Sequence, residues 1–244
     1  MAAENGATIK YIFETHFHAD FVSGHIDLAK KTGAKIVYGP TANTNFDIIE
    51  AVDQQEFKVG DATIRVLHTP GHTLESSTFL LIDENGKDHG IVTGDTLFIG
   101  DVGRPDLAIK SDLTKEGLAA MLFDSLRNKI MPLNDDLIVY PAHGAGSSCG
   151  KNMSTETTDT LGNQKATNYA LRADMTKAEF VAEVLDGMLP PPQYFPKNAM
   201  MNKSGYQEID EVMSQGNKAI PIFEFQELAV QENVLVLDVR TEQE

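Results

Sequence analysis

A short run of metal-ligand residues follows a probable strand near the start of the chain. The apolar run 9–13 predicts a buried strand, and His16, His18 and Asp20 come soon after it. In an extended or tightly turning segment, residues two positions apart point the same way, so the two imidazoles can converge while Asp20 reaches in from the next turn. Imidazole and carboxylate are ligands of zinc, iron and related divalent metals. The alternative is a pair of surface histidines beside a solvated acid.

Three further residues of metal-ligand type lie just past probable strands. His72 sits in a Thr-Pro-Gly-His turn, Asp95 follows the run Ile-Val-Thr-Gly, and His143 follows Val-Tyr-Pro-Ala. Singly, each has an ordinary structural explanation, because Gly-Asp is a common turn and a lone histidine is more often packed in a core. Together with the first motif, they indicate a metal site built from several strand ends.

The apolar patterns predict strands and helices in an order typical of a layered domain. The predicted strands are 9–13, 34–38, a hairpin over 56–67, 77–83, 90–93 and 137–140. The predicted helices are one capped by Ser23 and ended by Gly33, one over 112–130, and one that starts with a capping box between Thr176 and Glu179. This order predicts an α/β (α+β layered) domain whose active site lies on the loops at the strand ends.

Composition restricts the function classes. The 244 residues are 41% hydrophobic and 23% charged, which is typical of a soluble globular protein. The net charge of −16 argues against a broad nucleic-acid surface and against binding to anionic membranes. No apolar run reaches the length of a membrane span, and residues 1–6 lack the features of a signal peptide. The single cysteine, Cys149, excludes an internal disulfide, so we predict a cytoplasmic protein.

The last part of the chain has a different character. A proline-rich stretch begins after Leu189 and is typical of a semi-rigid linker. A helix over 206–214 and a strand over 233–238 are predicted beyond it. We therefore divide the chain into a catalytic domain over 1–189, a linker over 190–219 and the start of a second domain over 220–244.

The ordered motifs over residues 9–143 resemble the metallo-β-lactamase superfamily. These motifs are His-x-His-x-Asp, Gly-His, Gly-Asp and the final histidine, at His16, His18, Asp20, His72, Asp95 and His143. The resemblance implies an αββα sandwich with its metal site at one edge of the two sheets. Members usually have several strands before the metal motif, so the N-terminal strands are expected to be missing here or supplied by another chain.

The sequence departs from the two-metal members of this superfamily at Phe21. Those members carry a histidine at this position, and it ligates the second metal. Since a phenyl ring cannot ligate, a second site would have only Asp20, His143 and a shared Asp95. We therefore expect the second site to be weak or absent, which disfavours thioester and β-lactam hydrolysis.

With one metal, the chain resembles the persulfide dioxygenase branch of the superfamily. The resemblance implies that His16, His72 and Asp95 hold one Fe(II), and the stretches 93–98 and 103–107 are similar to this branch as well. Two histidines and one carboxylate leave positions open for substrate and oxygen. The expected reaction oxidises a low-molecular-weight thiol persulfide, such as glutathione persulfide, with O₂ to sulfite and free thiol.

Further residues receive roles around this metal. Three are expected to orient ligands, hydrogen-bond or exchange protons: His18, Asp20 and His143. Three are candidate substrate contacts: Phe21, Arg104 and Cys149. For Arg104 the alternative is a buried partner of Asp101 or Asp106. For Cys149 the alternative is a small buried residue in a glycine-rich turn.

Two more expectations concern partners and alternatives. Residues 234–240 resemble the opening strand of a rhodanese domain, so we expect a downstream rhodanese-like domain, as in bacterial fusion proteins. A homodimer is expected only from the general frequency of symmetric dimers.

Two alternative functions stand beside the dioxygenase. The second candidate function is a zinc hydrolase of a thioester or lactone, similar to glyoxalase II, with His16, His18 and His72 as ligands. The third is a non-catalytic sulfur-trafficking module.

Overall fold

The computed structural model describes residues 2–107 and 113–241. The chain divides into two compact units, Met1–Tyr206 and Gln207–Glu244. The first unit therefore extends past residue 189, where the sequence places the end of the catalytic domain. The boundary differs from the prediction because a helix within the proline-rich stretch belongs to the first unit.

Two sheets form the centre of the first unit. The first sheet contains three parallel strands in the order β1 (Tyr11–Phe13), β2 (Lys35–Tyr38) and β3 (Ile49–Glu50). The second sheet contains, in spatial order, β4 (Glu56–Val59), β5 (Ala62–His68), β6 (Ser77–Ile82), β7 (Asp88–Gly94), β8 (Ile138–Pro141) and β9 (Asp159–Thr160). Neighbouring strands of this second sheet are antiparallel, except that β7 and β8 are parallel. The predicted strands of this unit are thus all present.

The helices lie between and after the strands. Those of the first unit are α1 (His25–Thr32), α2 (Lys115–Ser125) with a π-helical turn over Leu126–Ile130, α3 (Leu161–Thr167), α4 (Lys177–Leu185) and α5 (Phe195–Ser204), with short 3₁₀ turns at Ala3–Asn5 and Tyr169–Leu171. Those of the second unit are α6 (Ile209–Gly216) and α7 (Ile222–Ala229). The first residue of the predicted helix over 112–130 lies outside the described residues. No helix in the described ranges is both long enough and apolar enough to cross a membrane.

Three apolar clusters stack the elements in four layers. Val37, Phe57 and Phe79 meet between the two sheets. Ile12 and Ile36, on the other face of the first sheet, pack under α1. The outer face of the second sheet packs against α2 and α4, where three residues of the predicted helix face join the cluster: Leu122, Leu126 and Ile130. Leu118, the first residue of that face, is fully buried as well. The strand alternation and the helix periodicity thus produce the αββα sandwich that the resemblance implies.

Helix ends follow the sequence in part. Thr176 and Glu179 form the predicted capping box of α4, and Gly33 ends α1 in the left-handed conformation with φ 73°. Ser23 does not cap α1, whose N-cap is Gly24. The Ser23 hydroxyl instead donates to Glu14 Oε1 at 2.7 Å, because a buried carboxylate lies within its reach.

Two local predictions for the C-terminal part of the chain are wrong. The stretch 190–219 is not a simple linker, because α5 forms within it and starts with a proline in its first turn, where the missing N–H costs nothing. The strand predicted over 233–238 is absent from the described part of the second unit, where residue 233 is in a turn and residues 234–239 form neither strand nor helix. A segment rich in β-forming residues needs a neighbouring strand to supply its hydrogen bonds, and none pairs with it here.

We predict that Leu122→Ala lowers the free energy of unfolding by about 2–5 kcal/mol, because the side chain is fully buried between α2 and the second sheet. Met121→Ala, one position earlier on the exposed face of α2, is the matched control and should change stability by less than about 0.5 kcal/mol. Urea denaturation of both variants tests this. Equal losses in the two variants would contradict the layer assignment.

Candidate metal centre

Four strand ends bring the predicted ligands to one edge of the sandwich. His16 and His18 follow β1, and His72 lies in the turn after β5. Asp95 directly follows β7, and His143 follows β8, which runs parallel to β7 in the same sheet. Since β7 and β8 are neighbours, their carboxyl ends place the last two residues side by side. The sequence order of the motif thus becomes a spatial cluster.

An inner group of three buried residues lies at the centre of this cluster. His16, His72 and Asp95 are each about 1% exposed. Their ligand atoms lie within 4.8 Å of one another, with Asp95 Oδ2 at 3.3 Å from His72 Nε2 and at 3.8 Å from His16 Nε2. Among the described residues, no N–H or O–H group donates a hydrogen bond to either carboxylate oxygen of Asp95, and the weak thiol donor of Cys149 lies close to it. A buried carboxylate with so few donors beside two imidazoles fits a bound divalent cation.

The orientation of the inner imidazoles leaves their Nε2 atoms facing Asp95. His72 Nδ1–H donates to the Arg104 carbonyl oxygen at 2.8 Å, which sets the tautomer and leaves the Nε2 lone pair free. His16 Nδ1 shares a hydrogen bond with Thr15 Oγ1 at 2.9 Å. Both contacts are typical of the outer bonds that orient metal-ligating histidines.

An outer group of three residues lies next to the inner one. His18, Asp20 and His143 also place one ligand atom each within 4.8 Å of one another. His143 Nε2 lies 3.5 Å from Asp20 Oδ2 and 3.4 Å from Asp95 Oδ1. Three buried atoms of this group have no hydrogen-bond partner among the described residues: His18 Nδ1, Asp20 Oδ1 and His143 Nε2. The nitrogen and oxygen atoms of these residues could serve as ligands of a second cation even with phenylalanine at position 21.

Burial shifts the pKa values of the histidines and of Asp95 in the metal-free protein. Desolvation, followed by the neighbouring imidazoles, lowers the pKa of His18 to about 3 and that of His16 well below its usual range. Burial also lowers the pKa of His72 to about 4. Desolvation, followed by the carboxylate of Asp20, raises the pKa of Asp95 well above its usual range. The imidazoles are therefore neutral and able to ligate, whereas the carboxyl group favours its protonated form.

The candidate substrate contacts differ in how they meet the site. The Phe21 ring is 44% exposed and stacks on the His18 ring with centroids 4.4 Å apart, so it lies at the rim. Arg104 pairs with Asp106 through two bonds of 2.6 and 2.8 Å and also donates to the carbonyls of Ser148 and Leu189. The Arg104 guanidinium therefore has a structural role as the partner of Asp106, and Asp101 forms its hydrogen bonds with other residues. Cys149 is buried, and its Sγ lies within the cluster formed with Asp95 and His143.

Two residues that support the site were not predicted from the sequence. A Cβ atom on Gly103 would overlap the Asp95 carbonyl oxygen and would lie 3.0 Å from His72 Nδ1. Only glycine therefore allows the chain to pass this closely behind the two ligands. Gly103 lies in the stretch 103–107 that is similar to the dioxygenase branch, and this similarity is the sequence feature that could have identified it. Asn202 is the second residue, and no local pattern pointed to it.

Gly103→Ala should displace Asp95 and His72 and reduce metal affinity by about 10- to 100-fold, as for other residues that orient ligands. Gly144→Ala is the matched control beside His143, because a Cβ atom there meets no heavy atom within 4 Å. Competition with a chromophoric chelator measures both affinities. Wild-type affinity in Gly103→Ala would contradict the packing argument.

Metal binding should release protons and strengthen as the pH rises, because a ligating carboxylate must lose the proton that burial favours on Asp95. The inner imidazoles are already neutral near pH 7, so they release none. Titration calorimetry with Zn²⁺ in two buffers of different ionisation enthalpy measures the proton count. Affinity that is independent of pH, with no proton release, would contradict this assignment.

Comparisons with known proteins agree with the fold. A sequence model of the metallo-beta-lactamase superfamily matches residues 2–143. Hydroxyacylglutathione hydrolase of Tolumonas auensis is 34% identical over 145 residues, which are 57% of this chain and 50% of that protein. The chain spans about half the length of the first curated relatives it matches.

Two solved structures are similar over most of the chain. A metallo-beta-lactamase from Staphylococcus aureus has a TM-score of 0.76 and 36% identity, and the match covers 84% of this chain and 61% of that one. ETHE1 from Myxococcus xanthus has a TM-score of 0.67 and 27% identity, and the match covers 83% of this chain and 80% of that one. The family match extends over more than half of the sequence. The chain therefore belongs to the metallo-beta-lactamase superfamily.

Proposed function

We propose that the chain is a mononuclear non-haem Fe(II) dioxygenase that oxidises a low-molecular-weight thiol persulfide to sulfite and free thiol. The observation that carries the proposal is the inner group, His16, His72 and Asp95, which directs two imidazoles and one carboxylate at a common point. This ligand set is the one used by non-haem Fe(II) oxygenases, because it leaves coordination positions open. Fe(II) held there would supply the electron chemistry that joins O₂ to sulfur.

The overall reaction is balanced with water as the third reactant. One persulfide, one O₂ and one water give one thiol, one sulfite and two protons. The terminal sulfur is oxidised and O₂ is reduced, so no further reductant is needed. The protein must bind the persulfide and accept protons as the products form.

Residues of the outer group suit these tasks. His143 and Asp20 lie 3.5 Å apart at Nε2 and Oδ2, and both are only partly buried, so they can hold or pass a proton between the centre and solvent. The exposed Phe21 ring offers an apolar contact at the rim of the site. The glutathione-type carrier remains a proposal from the sequence resemblance.

The second candidate is a metal-dependent hydrolase of a glutathione thioester. The curated relatives named hydroxyacylglutathione hydrolase favour it, and so do the outer donors, which can hold a second cation. In this reading His16, His18 and His72 would hold a zinc ion, which would supply an activated water for attack on the thioester. Asp20, His143 and the shared Asp95 would hold a second cation, so Asp20 and His143 would not serve in proton transfer.

Metal analysis and two assays distinguish the candidates. We expect about one iron per chain, O₂ uptake on addition of glutathione persulfide, and sulfite formed in equal amount. His72→Ala should lose the metal and the activity, whereas His89→Ala, an exposed histidine outside the site, should keep both. Bound zinc with cleavage of an S-hydroxyacylglutathione and no O₂ uptake would reject the dioxygenase and support the hydrolase.

A further inference from the structure

One buried amide joins α5 to the segment that carries the first metal motif. Asn202 is fully buried, and its two Nδ2 hydrogens go to the carbonyl oxygens of His18 at 2.7 Å and Phe21 at 2.8 Å. Its Oδ1 accepts from the backbone N–H of Ser23 at 2.9 Å. All the hydrogen-bonding groups of this side chain are therefore used on the backbone of residues 18–23.

The motif segment depends on such partners because it has no regular structure of its own. Residues 14–24, between β1 and α1, form neither strand nor helix. Their backbone N–H and C=O groups thus lack the partners that a sheet or helix would supply, and buried backbone groups need partners. The Asn202 amide provides three of them at once. It does so from a position more than 170 residues away in sequence.

Further contacts lie on both sides of Asn202. Phe195, the first residue of α5, is buried in one apolar cluster with Ala19, which lies between His18 and Asp20. Tyr206, two residues after α5 ends, accepts at its hydroxyl from the N–H of Ile26 at 3.1 Å, in the first turn of α1 just after the motif segment. Contacts on both sides of Asn202 thus join this part of the chain to the motif segment and to the start of α1.

We propose that Asn202 is a positioning residue of the metal centre. It touches no ligand side chain, and it acts through the backbone of residues 18–21, which sets where His18 and Asp20 point relative to His16. The consequence is that metal affinity and coordination geometry depend on α5, a helix outside the motifs. This inference holds for the dioxygenase, in which His18 and Asp20 would orient the ligands, and for the hydrolase, in which His18 and Asp20 would bind metal.

The test replaces Asn202 by Asp, which keeps the acceptor for Ser23 N–H and removes both donors. We expect a metal affinity about 10- to 100-fold lower than wild type in chelator competition, and a changed visible absorption spectrum of the Co²⁺-substituted protein. Asn198→Ala, one helical turn earlier on α5, is the matched control, because that side chain is only partly buried; it should leave affinity and spectrum unchanged.

A purely structural role predicts a different pattern. The melting temperature of metal-free Asn202→Asp would fall, but the folded protein would keep the wild-type Co²⁺ spectrum and metal affinity, and this result would overturn the proposal. If Asn202→Asp does not fold, Asn202→Gln replaces it, since it retains both donors and the acceptor but displaces them by one methylene. Wild-type affinity and spectrum in Asn202→Gln would then overturn the proposal. Both readouts are independent of any substrate, so they stand apart from the test of the reaction.

Discussion

The metal centre depends on a carboxylate that is buried with few hydrogen-bond donors around it. Asp95 is about 1% exposed, and among the described residues no N–H or O–H group donates to either of its oxygens, while the weak Cys149 thiol donor lies close by. Leaving a charged group in this state is unfavourable unless a proton or a cation compensates it. The neutral imidazoles around it, at His16, His72 and His143, provide lone pairs instead of positive charge. A bound cation would compensate the buried carboxylate and accept these lone pairs, whereas without a cation the charged carboxylate is unfavourable.

The surrounding fold maintains that arrangement in several ways. The sandwich puts β7 and β8 side by side, so Asp95 and His143 emerge together. Gly103 lets the chain pass directly behind Asp95 and His72. The apolar layers beneath the site make it rigid, because their side chains are closely packed. Ligand geometry is therefore a property of the whole first unit.

The chemistry depends on how the inner and outer groups divide their work. Asp95 lies between them, with one oxygen near His16 and His72 and the other near His143. A metal bound only by the inner group leaves the outer residues free for proton transfer, which suits oxidation of a persulfide. Metals bound by both groups suit hydrolysis. Both proposed reactions use the same side chains, and they differ in the metal that they require.

The sequence alone determined what depends on local pattern. Strand alternation, the buried face from Leu118 to Ile130 and the capping box at Thr176 follow from short-range periodicity and side-chain chemistry, so they could be predicted. The candidate metal ligands could be predicted for the same reason, since the sequence shows histidines and aspartates directly after predicted strands. Only the tertiary structure decided which partners those residues meet. Ser23 bonds to Glu14 instead of capping α1, residues 234–239 have no partner strand among the described residues, and Asn202 reaches the metal motif. These outcomes depend on which segments meet in the folded chain, from nine residues apart for Ser23 and Glu14 to 184 residues apart for Asn202 and His18, and no local pattern encodes which segments meet.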